Sequence, residues 1–352
     1  MKRKIKLFLS VAFFAFLIVS PVFNAKAYTF SKAEAVMEVS SGRILTERNA
    51  DEKLPMASTT KIVTAITVID NFDTEKIITV PKECVGVEGS SVYLKADEKY
   101  KVIDLLYGLM LRSGNDAAET LAVTLSGSIE NFVFLMNKTA EKAGAKNSSF
   151  ANPHGLSEDN HYTTAKDLAS ITCYAMKNKT FGKIVSAKRH IAEELVSGEN
   201  KIWVNKNKML FNFDGADGVK TGYTVKAGRC LVSSAKRNGM EVVSVVLNSP
   251  QMFERSSELL ENAFSEYDLI KVFDSERFDY DIFDKSKVNS FRLSKPESFY
   301  YPVGKTEKIH CVTDFTSFSD KSLKPNEKVG EIKIYCSKQL IFSQNIYTLN
   351  NI

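Results

Sequence analysis

Three short motifs occur in order along the chain, and each one has a different local setting. Ser58-Thr59-Thr60-Lys61 lies where a helix is predicted to begin, Ser113-Gly114-Asn115 interrupts a helical stretch, and Lys220-Thr221-Gly222 lies in a predicted strand. Each motif alone is common, as a helix start, a turn or the end of a strand. Together they constrain the fold most strongly, because a helix start, a loop and a strand have to meet in one site.

The first motif predicts a nucleophile and its base. A spacing of three on a helix places the Ser58 hydroxyl and the Lys61 amine on one face, with roughly 5–6 Å between their Cβ atoms. A serine hydroxyl is a weak nucleophile until a neighbour takes its proton, which a neutral lysine can do. A second S-x-x-K pattern, from Ser233 to Lys236, lies in a strand-like run, where residues three apart point to opposite faces. We therefore assign the chemistry to Ser58 and Lys61 alone.

The second motif supplies polar groups around this pair. Burial and a nearby positive charge both lower the pKa of a lysine, and Lys220 of the third motif is the predicted second cation. Ser113 is suited to pass a proton to a leaving amine, and the Asn115 amide can hold the lysine or the substrate. We include both residues in the predicted catalytic set.

The third motif predicts a substrate-binding strand. Lys220 and Thr221 offer a positive charge and a hydroxyl to a substrate carboxylate. Gly222 lets a substrate backbone lie against the strand because it has no Cβ. The backbone N–H groups of Ser58 and Tyr223 are the predicted oxyanion hole.

At these residues the chain resembles a known family. Penicillin-binding proteins and class A β-lactamases carry motifs of this type. The chain is most similar to the serine-type D-alanyl-D-alanine carboxypeptidases, the low-molecular-mass penicillin-binding proteins of peptidase family S11. The stretches NPHGL, HYTTAKDLA, GVKTGYT and LVSSAKRNG add to the resemblance, which covers about residues 33–265 closely.

The resemblance implies an activity. Ser58 would form an acyl-enzyme with the penultimate D-alanine of peptidoglycan stem peptides that end in D-Ala-D-Ala, and water would complete the release of the terminal D-alanine. β-Lactams would be trapped at Ser58 as stable adducts, and no cofactor or metal would be needed. The resemblance also places Trp203, Lys206 and Lys208 near the substrate cleft, and a solvated charged face is the alternative.

The predicted organisation has three parts. Residues 1–27 are a signal peptide, residues 28–268 the serine D,D-peptidase domain, and residues 269–352 a small β-rich domain. Strand patterns at both ends of the second part enclose helical ones, which predicts the α+β class with a mixed sheet of about five strands flanked by helices. The resemblance makes this a β-lactamase/transpeptidase-like domain followed by a small all-β C-terminal domain.

The N-terminus indicates export. Basic residues precede an apolar run from Leu7 to Val19 and an Ala25-Lys26-Ala27 site, which predicts cleavage after Ala27 and location on the outer side of a bacterial cytoplasmic membrane. An uncleaved anchor is the alternative. Residues 1–27 hold five of the 47 basic residues and none of the 42 acidic ones. The remaining chain is balanced in charge, so nucleic acid is not an expected partner.

Two features of the C-terminal region, its last stretch and its two cysteines, each have more than one interpretation. Many family members end in an amphipathic helix that holds them to the membrane, and the stretch QLIFSQNIYTLNNI lacks the length and basic face of one. A peripheral membrane or wall contact through this domain is left open. Among five cysteines, Cys173 and Cys230 are predicted to be buried, and a disulfide between Cys311 and Cys336 is an open alternative.

Two other functions compete with the carboxypeptidase. A β-lactamase of class A uses a glutamate to activate the deacylating water, and no E-x-x-L-N pattern occurs between Ser113 and Lys220. Gly114 also stands where those enzymes have aspartate. A non-catalytic wall-binding protein is the third hypothesis, and the retention of every chemically required residue argues against it.

Overall fold

The computed structural model describes residues 31–283, 290–316 and 323–351. The predicted signal peptide, residues 1–27, lies outside this range. The described helices are α1 Lys61–Asn71, α2 Val102–Tyr107, α3 Asn115–Ser126, α4 Ile129–Lys142, α5 Ala165–Met176, α6 Lys179–Ser186, α7 Met209–Asn212 and α8 Met252–Glu266. The strands of the first part are β1 Ala33–Glu38, β2 Ile44–Arg48, β3 Ile77–Thr79, β4 Lys99–Lys101, β5 Arg189–Glu193, β6 Asn200–Val204, β7 Ala216–Thr224, β8 Gly228–Arg237 and β9 Met240–Leu247. The remaining strands are β10 Tyr267–Phe273, β11 Asp281–Phe283, β12 Ser290–Leu293, β13 Phe299–Gly304, β14 Ile309–Phe315, β15 Lys328–Cys336 and β16 Gln339–Asn351.

A five-stranded sheet with the order β2-β1-β9-β8-β7 forms the centre of the first part. The predicted five strands flanked by helices are confirmed, but every neighbouring pair is antiparallel, whereas the sequence analysis expected a mixed sheet. Tight turns join β7 to β8 and β8 to β9, and a hairpin joins β1 to β2. Because parallel pairing needs a long crossover connection, these short links produce opposite strand directions.

The sheet is buried on both faces. Along β9, Val243 packs into the large helical core, whereas its neighbour Val242 packs with Leu260 of α8 on the other side. This alternation follows from the two-residue period of a strand. Cys173 in α5 and Cys230 in β8 are buried in the helical core, as predicted. The site strand β7 forms one edge of this rigid, two-sided layer.

Helix boundaries lie close to those predicted. A short 3-10 turn over Ala57–Thr60 leads into α1, so the helical segment begins one residue before Ser58. The stretch from α2 to α3 passes through a wider helical turn at Gly108–Arg112 and is interrupted at Ser113, whose φ is +67°. This left-handed residue breaks the helix because an ordinary helical φ is near −63°.

Within its described residues the C-terminal part consists mainly of strands, with one short 3-10 turn at Ser275–Arg277. A second five-stranded sheet has the order β11-β12-β16-β15-β14, and β10 pairs separately with β13. The predicted small all-β domain is therefore confirmed as a fold class. Of the stretch QLIFSQNIYTLNNI, residues Gln339–Asn351 form β16. The boundary after residue 268 stays a prediction, since α8 passes directly into β10 at Tyr267.

The Cys311–Cys336 disulfide is absent. Both cysteines are free, with Cys311 exposed and Cys336 buried. In the β14–β15 ladder Cys311 faces Ile334, whereas Cys336 faces Ile309. Diagonal neighbours of this kind lie about 7–8 Å apart, which is beyond the usual Cα separation of a disulfide.

No helix in the described part of the chain combines the length and apolar character needed to cross a membrane. This finding concerns residues 31–351 with their two internal gaps.

Arg43 ties the β1–β2 turn to the C-terminal strands, within the compact unit that begins at Ser31. Its guanidinium donates to both carboxylate oxygens of Glu307, at 2.8 and 2.5 Å, and to the carbonyl of Pro302 at 2.6 Å. The rings of Tyr267 and Tyr301 lie about 5 Å from the guanidinium carbon. A planar fork between two rings is a geometry that lysine cannot reproduce.

Arg43→Lys is therefore expected to lower the free energy of unfolding at pH 7 by about 1–3 kcal/mol. The hydrogen bonds from Arg43 lower the pKa of Glu307 to about 2 from its usual 4.5. A depressed carboxyl pKa contributes stability that is complete above about pH 4.5 and is lost as the pH falls toward 2. Urea unfolding at pH 7 and pH 3 should show a smaller difference in the free energy of unfolding between the two pH values for the variant than for the wild type.

The matched control is Lys138→Ala, which removes an exposed pair with Glu141 on α4. Exposed pairs contribute little, so its unfolding midpoint should not move. Equal unfolding midpoints for wild type and Arg43→Lys would contradict the role given to Arg43.

Candidate active site

Lys61 lies at the centre of the site. Its amine is 3.1 Å from the Ser58 hydroxyl, 2.7 Å from Asn115 Oδ1 and 2.6 Å from the carbonyl oxygen of His154. The side chain is fully buried. Burial, followed by the positive charge of Lys220, lowers the pKa of Lys61 well below its usual value. The structure thus joins the first and second motifs around one amine.

Ser58 lies in the 3-10 turn, half-buried, with its hydroxyl directed toward Lys61. No side chain caps this turn at Met56, the residue before it. The preceding residue Ala57 has a φ of +50°, which is uncommon for a residue other than glycine. The turn therefore has a local backbone geometry that the serine-lysine spacing alone does not reveal.

Asn115 begins α3 and links Lys61 to a neighbouring loop. Its Nδ2 donates to the carbonyl of Glu88 at 2.5 Å, which leaves Oδ1 for Lys61. Ser113 lies two residues earlier and is largely buried. The loop brings Ser113 next to the residue that holds Lys61, and its role in proton transfer stays a prediction.

Asp116 is a buried residue of the site region that the sequence analysis missed. Its carboxylate accepts the backbone N–H groups of Val92 and Leu94 and the hydroxyl of Ser91. Asp116 is 1% exposed. It fixes the loop over residues 88–94 against the start of α3, where an acidic residue is also favoured by the helix dipole. An acid in the first turn of a predicted helix was the available signal.

Strand β7 passes close to the Ser58 turn. A Cβ added at Gly222 would lie 3.0 Å from the Met56 carbonyl oxygen and 3.1 Å from the Ser58 nitrogen. Glycine is therefore favoured at this position by the close approach of the protein's own backbone, in addition to the space predicted for a substrate. Tyr223 follows with its side chain exposed. The oxyanion-hole assignment for Ser58 and Tyr223 stays a prediction.

Lys220 is almost fully buried beside the other two motifs. Burial, together with the positive charge of Lys206, lowers the pKa of Lys220 to about 7. Its amine donates to the carbonyl of Thr221 at 2.9 Å. The structure therefore places a second lysine of depressed pKa near Lys61, in agreement with the predicted pair of cations.

The second S-x-x-K pattern does not form a pair. Ser233 is buried in β8, whereas Lys236 is exposed and lies 3.8 Å from Glu241. The strand geometry separates the two side chains as predicted.

The loop that contains NPHGL is part of the site, although the sequence analysis assigned it no role. Asn152 accepts the backbone N–H groups of His154 and Gly155, and Thr64 donates to the Pro153 carbonyl. These contacts aim the His154 carbonyl at Lys61. The cluster of Asn, Pro and Gly signalled a turn, but no sequence pattern identifies a carbonyl as the partner of a distant lysine.

Of three residues expected near the cleft, Lys206 has the clearest connection to the site. Its charge contributes to the lowered pKa values of Lys61 and Lys220. Trp203 is buried over Gly108, and the amine of Lys208 lies 5.9 Å from the ring of Phe253. In the described chain no cluster of three or more His, Cys, Asp or Glu side chains is arranged to hold a metal ion.

Comparison with known proteins agrees with this geometry. The profile of the D-alanyl-D-alanine carboxypeptidase family, peptidase S11, matches residues 22–251. The profile of the penicillin-binding protein 5 C-terminal domain matches residues 276–352.

The matches to named relatives extend over most of this chain and most of each relative. The D-alanyl-D-alanine carboxypeptidase DacF of Bacillus subtilis is 31% identical over 312 residues, which are 86% of this chain and 80% of the relative. The D-alanyl-D-alanine carboxypeptidase DacC of Escherichia coli is 32% identical over 345 residues, which are 92% of this chain and 84% of the relative. The structure of penicillin-binding protein 5 from Haemophilus influenzae matches with a TM-score of 0.77 and 26% identity, covering 92% of this chain and 97% of that one.

A relative with a second activity in its name is also similar. The Streptomyces K15 DD-transpeptidase structure matches with a TM-score of 0.61 and 33% identity, over 66% of this chain and 95% of that one. From the two profiles, the extent of these matches and the site geometry, the chain belongs to the D-alanyl-D-alanine carboxypeptidases of peptidase family S11 and carries a penicillin-binding protein 5 C-terminal domain.

Proposed function

We propose that this carboxypeptidase removes the terminal D-alanine from peptidoglycan stem peptides through an acyl-enzyme on Ser58. The supporting observation is the set of partners around the Lys61 amine. A neutral amine has two N–H donors and one lone pair. Asn115 Oδ1 and the His154 carbonyl, at 2.7 and 2.6 Å, accept only, so they take the two donors. The lone pair is then left for the hydroxyl proton of Ser58 at 3.1 Å.

Acylation follows from this arrangement. Lys61 takes the Ser58 proton while Oγ attacks the carbonyl carbon of the penultimate D-alanine. The resulting oxyanion is held by the backbone N–H groups of Ser58 and Tyr223. When the C–N bond breaks, the leaving amine receives the proton from Lys61 through the Ser113 hydroxyl. A water that loses its proton to Lys61 then attacks the ester carbonyl, and Lys61 returns the proton to Ser58 Oγ as the acyl C–O bond breaks.

Recognition of the substrate uses the third motif. Protonated Lys220 and the Thr221 hydroxyl bind the terminal carboxylate, and Gly222 keeps the strand surface open to the peptide backbone. Carboxylate binding orients the scissile bond over Ser58. β-Lactams carry a reactive amide and a carboxylate, so they are expected to acylate Ser58 and remain attached.

The cellular role rests on the N-terminal pattern and the family. We propose an exported enzyme that trims peptidoglycan on the outer side of a bacterial cytoplasmic membrane, with its signal cleaved after Ala27. The C-terminal strands are the proposed contact with the membrane surface or the wall. The share of transpeptidation beside hydrolysis depends on which acceptor reaches the acyl-enzyme.

Ser58→Ala is expected to abolish D-alanine release from a peptide that ends in D-Ala-D-Ala and to abolish covalent labelling by fluorescent penicillin. The reason is that no hydroxyl remains to form the ester. D-Alanine release and gel fluorescence of the mature chain measure both losses.

Ser233→Ala is the control, because it removes the buried serine of the second S-x-x-K pattern, and it should retain both activities. Release of D-alanine by Ser58→Ala would overturn the assignment of the nucleophile. Rapid steady turnover of penicillin by the wild type would favour a β-lactamase.

The pH profile tests the role of Lys220. With a pKa of about 7, Lys220 loses its charge as the pH rises through neutrality, so carboxylate binding and kcat/KM should fall there. Lys220→Arg keeps its charge at higher pH, and this basic limb should move upward by two pH units or more. The acid limb, which reports protonation of Lys61, should stay in place because the neighbouring positive charge is retained.

Because arginine differs from lysine in shape, the maximal rate can change for other reasons. The readout is therefore the pH at which the basic limb of kcat/KM falls. Lys236→Arg, at an exposed lysine, is the matched control and should leave the profile unchanged. A basic limb that stays near pH 7 in Lys220→Arg would show that another group controls it.

A further inference from the structure

His161, a buried residue outside the three motifs, is connected to the nucleophile turn. Its Nε2 lies 2.8 Å from the Thr60 hydroxyl, and that hydroxyl lies 2.8 Å from the carbonyl oxygen of Ala57. On the other side of the ring, Ala151 donates its backbone N–H to Nδ1 at 3.0 Å. His161 and Thr60 are 3% and 0% exposed, so water does not compete for these groups.

Only one arrangement of protons satisfies this chain of contacts. Because Nδ1 accepts from Ala151, the proton of a neutral His161 ring is on Nε2 and is donated to Thr60. The Thr60 hydroxyl then has its own proton free for the Ala57 carbonyl, which can only accept. Burial and the positive charge of Lys61 lower the pKa of His161 to about 4, which keeps the ring neutral at pH 7.

This series of hydrogen bonds ends at the peptide group between Ala57 and Ser58, which carries the predicted oxyanion donor. The Ala57 carbonyl and the Ser58 N–H belong to one planar trans peptide, in which they point in opposite directions. Fixing the direction of the carbonyl therefore fixes the direction of the N–H. Ala57 has a φ of +50°, so this peptide is turned away from the orientation of an ordinary helical turn.

Neighbouring glycines close around the same peptide. A Cβ at Gly155 would lie 2.0 Å from the Ala57 oxygen, and a Cβ at Gly222 would lie 3.1 Å from the Ser58 nitrogen. The carbonyl side is packed against the 152–158 loop, and the N–H side faces the substrate strand. The peptide is thus positioned from both ends.

We propose that His161 is a positioning residue that, through Thr60 and the Ala57 carbonyl, aims the Ser58 N–H at the oxyanion of the acyl-transfer reaction. This rests on the proposed acyl-enzyme at Ser58. His161 touches neither substrate nor Ser58, and its contribution is to preorganise a donor whose loss typically costs about 10²–10³ in rate.

Two replacements of His161 test its hydrogen bonds to Thr60 and Ala151 separately. In His161→Gln the side-chain amide can reach the Nε2 position and donate to Thr60. In His161→Asn the amide oxygen can accept from Ala151 but the donor to Thr60 is lost. We expect Asn to lower kcat and the rate constant for acylation by fluorescent penicillin by about 10- to 100-fold, with KM within about twofold, and Gln to retain most of the rate.

Thr60→Val and Thr60→Ser give an independent pair, since only serine keeps the hydroxyl. If the contacts act in series, His161→Asn combined with Thr60→Val should be no slower than the slower single variant. His190→Asn and His190→Gln are matched controls at a half-buried histidine that pairs with Asp104 at 2.6 Å. They should acylate at the wild-type rate.

The proposal is overturned if His161→Asn and Thr60→Val acylate at the wild-type rate, or if their losses simply multiply in the double variant. Equal losses for Asn and Gln that track a fall in thermal midpoint would assign His161 a structural role instead. Should one histidine variant fail to fold, the threonine pair decides. Failure of the wild type to be labelled at Ser58 would refute the proposed function itself, which distinguishes the two failures.

Discussion

The burial of the Lys61 amine is the constraint on which the rest of the site depends. A lysine with no exposed surface is stable only if its donors are satisfied, and Asn115 and the His154 carbonyl satisfy two of them. Each of these partners needs its own support. Asn115 is held by the Glu88 carbonyl, and the His154 loop is organised by Asn152. The same burial that makes the amine costly to charge supports its proposed role as the acceptor of the Ser58 proton.

Backbone packing fixes the turn that contains Ser58, the proposed nucleophile. Gly222 approaches the turn from the substrate strand, and Gly155 approaches it from the loop that holds Lys61. A Cβ at Gly155 would overlap the Ala57 carbonyl oxygen, and a Cβ at Gly222 would crowd the backbone of the turn. Close approach on two sides holds a turn that contains a left-handed alanine, and it places Ser58, the proposed nucleophile, between an edge strand of the sheet and a well-bonded loop. Rigid support of this kind is what catalytic geometry requires.

The C-terminal strands share little chemistry with the site but are attached firmly. The Arg43 contacts with Glu307 and Pro302 fix the β1–β2 turn to β13, at a distance in sequence of more than 250 residues. The carboxypeptidase profile matches the first part, and the profile of the penicillin-binding protein 5 C-terminal domain matches the second.

The sequence by itself determined the elements and the chemical groups of the site. Periodicity indicated the main helices and the central strands of the first part, and the three motifs named Ser58, Lys61, Asn115 and Lys220 because side-chain chemistry is encoded locally. Tertiary structure decided which backbone groups meet those side chains. The His154 carbonyl, the Thr60–His161 contacts, the antiparallel pairing of β1 with β9 and the separation of Cys311 from Cys336 all depend on how distant segments pack. Backbone carbonyls are the same in every residue, so no local pattern can single out the one that a buried amine will find.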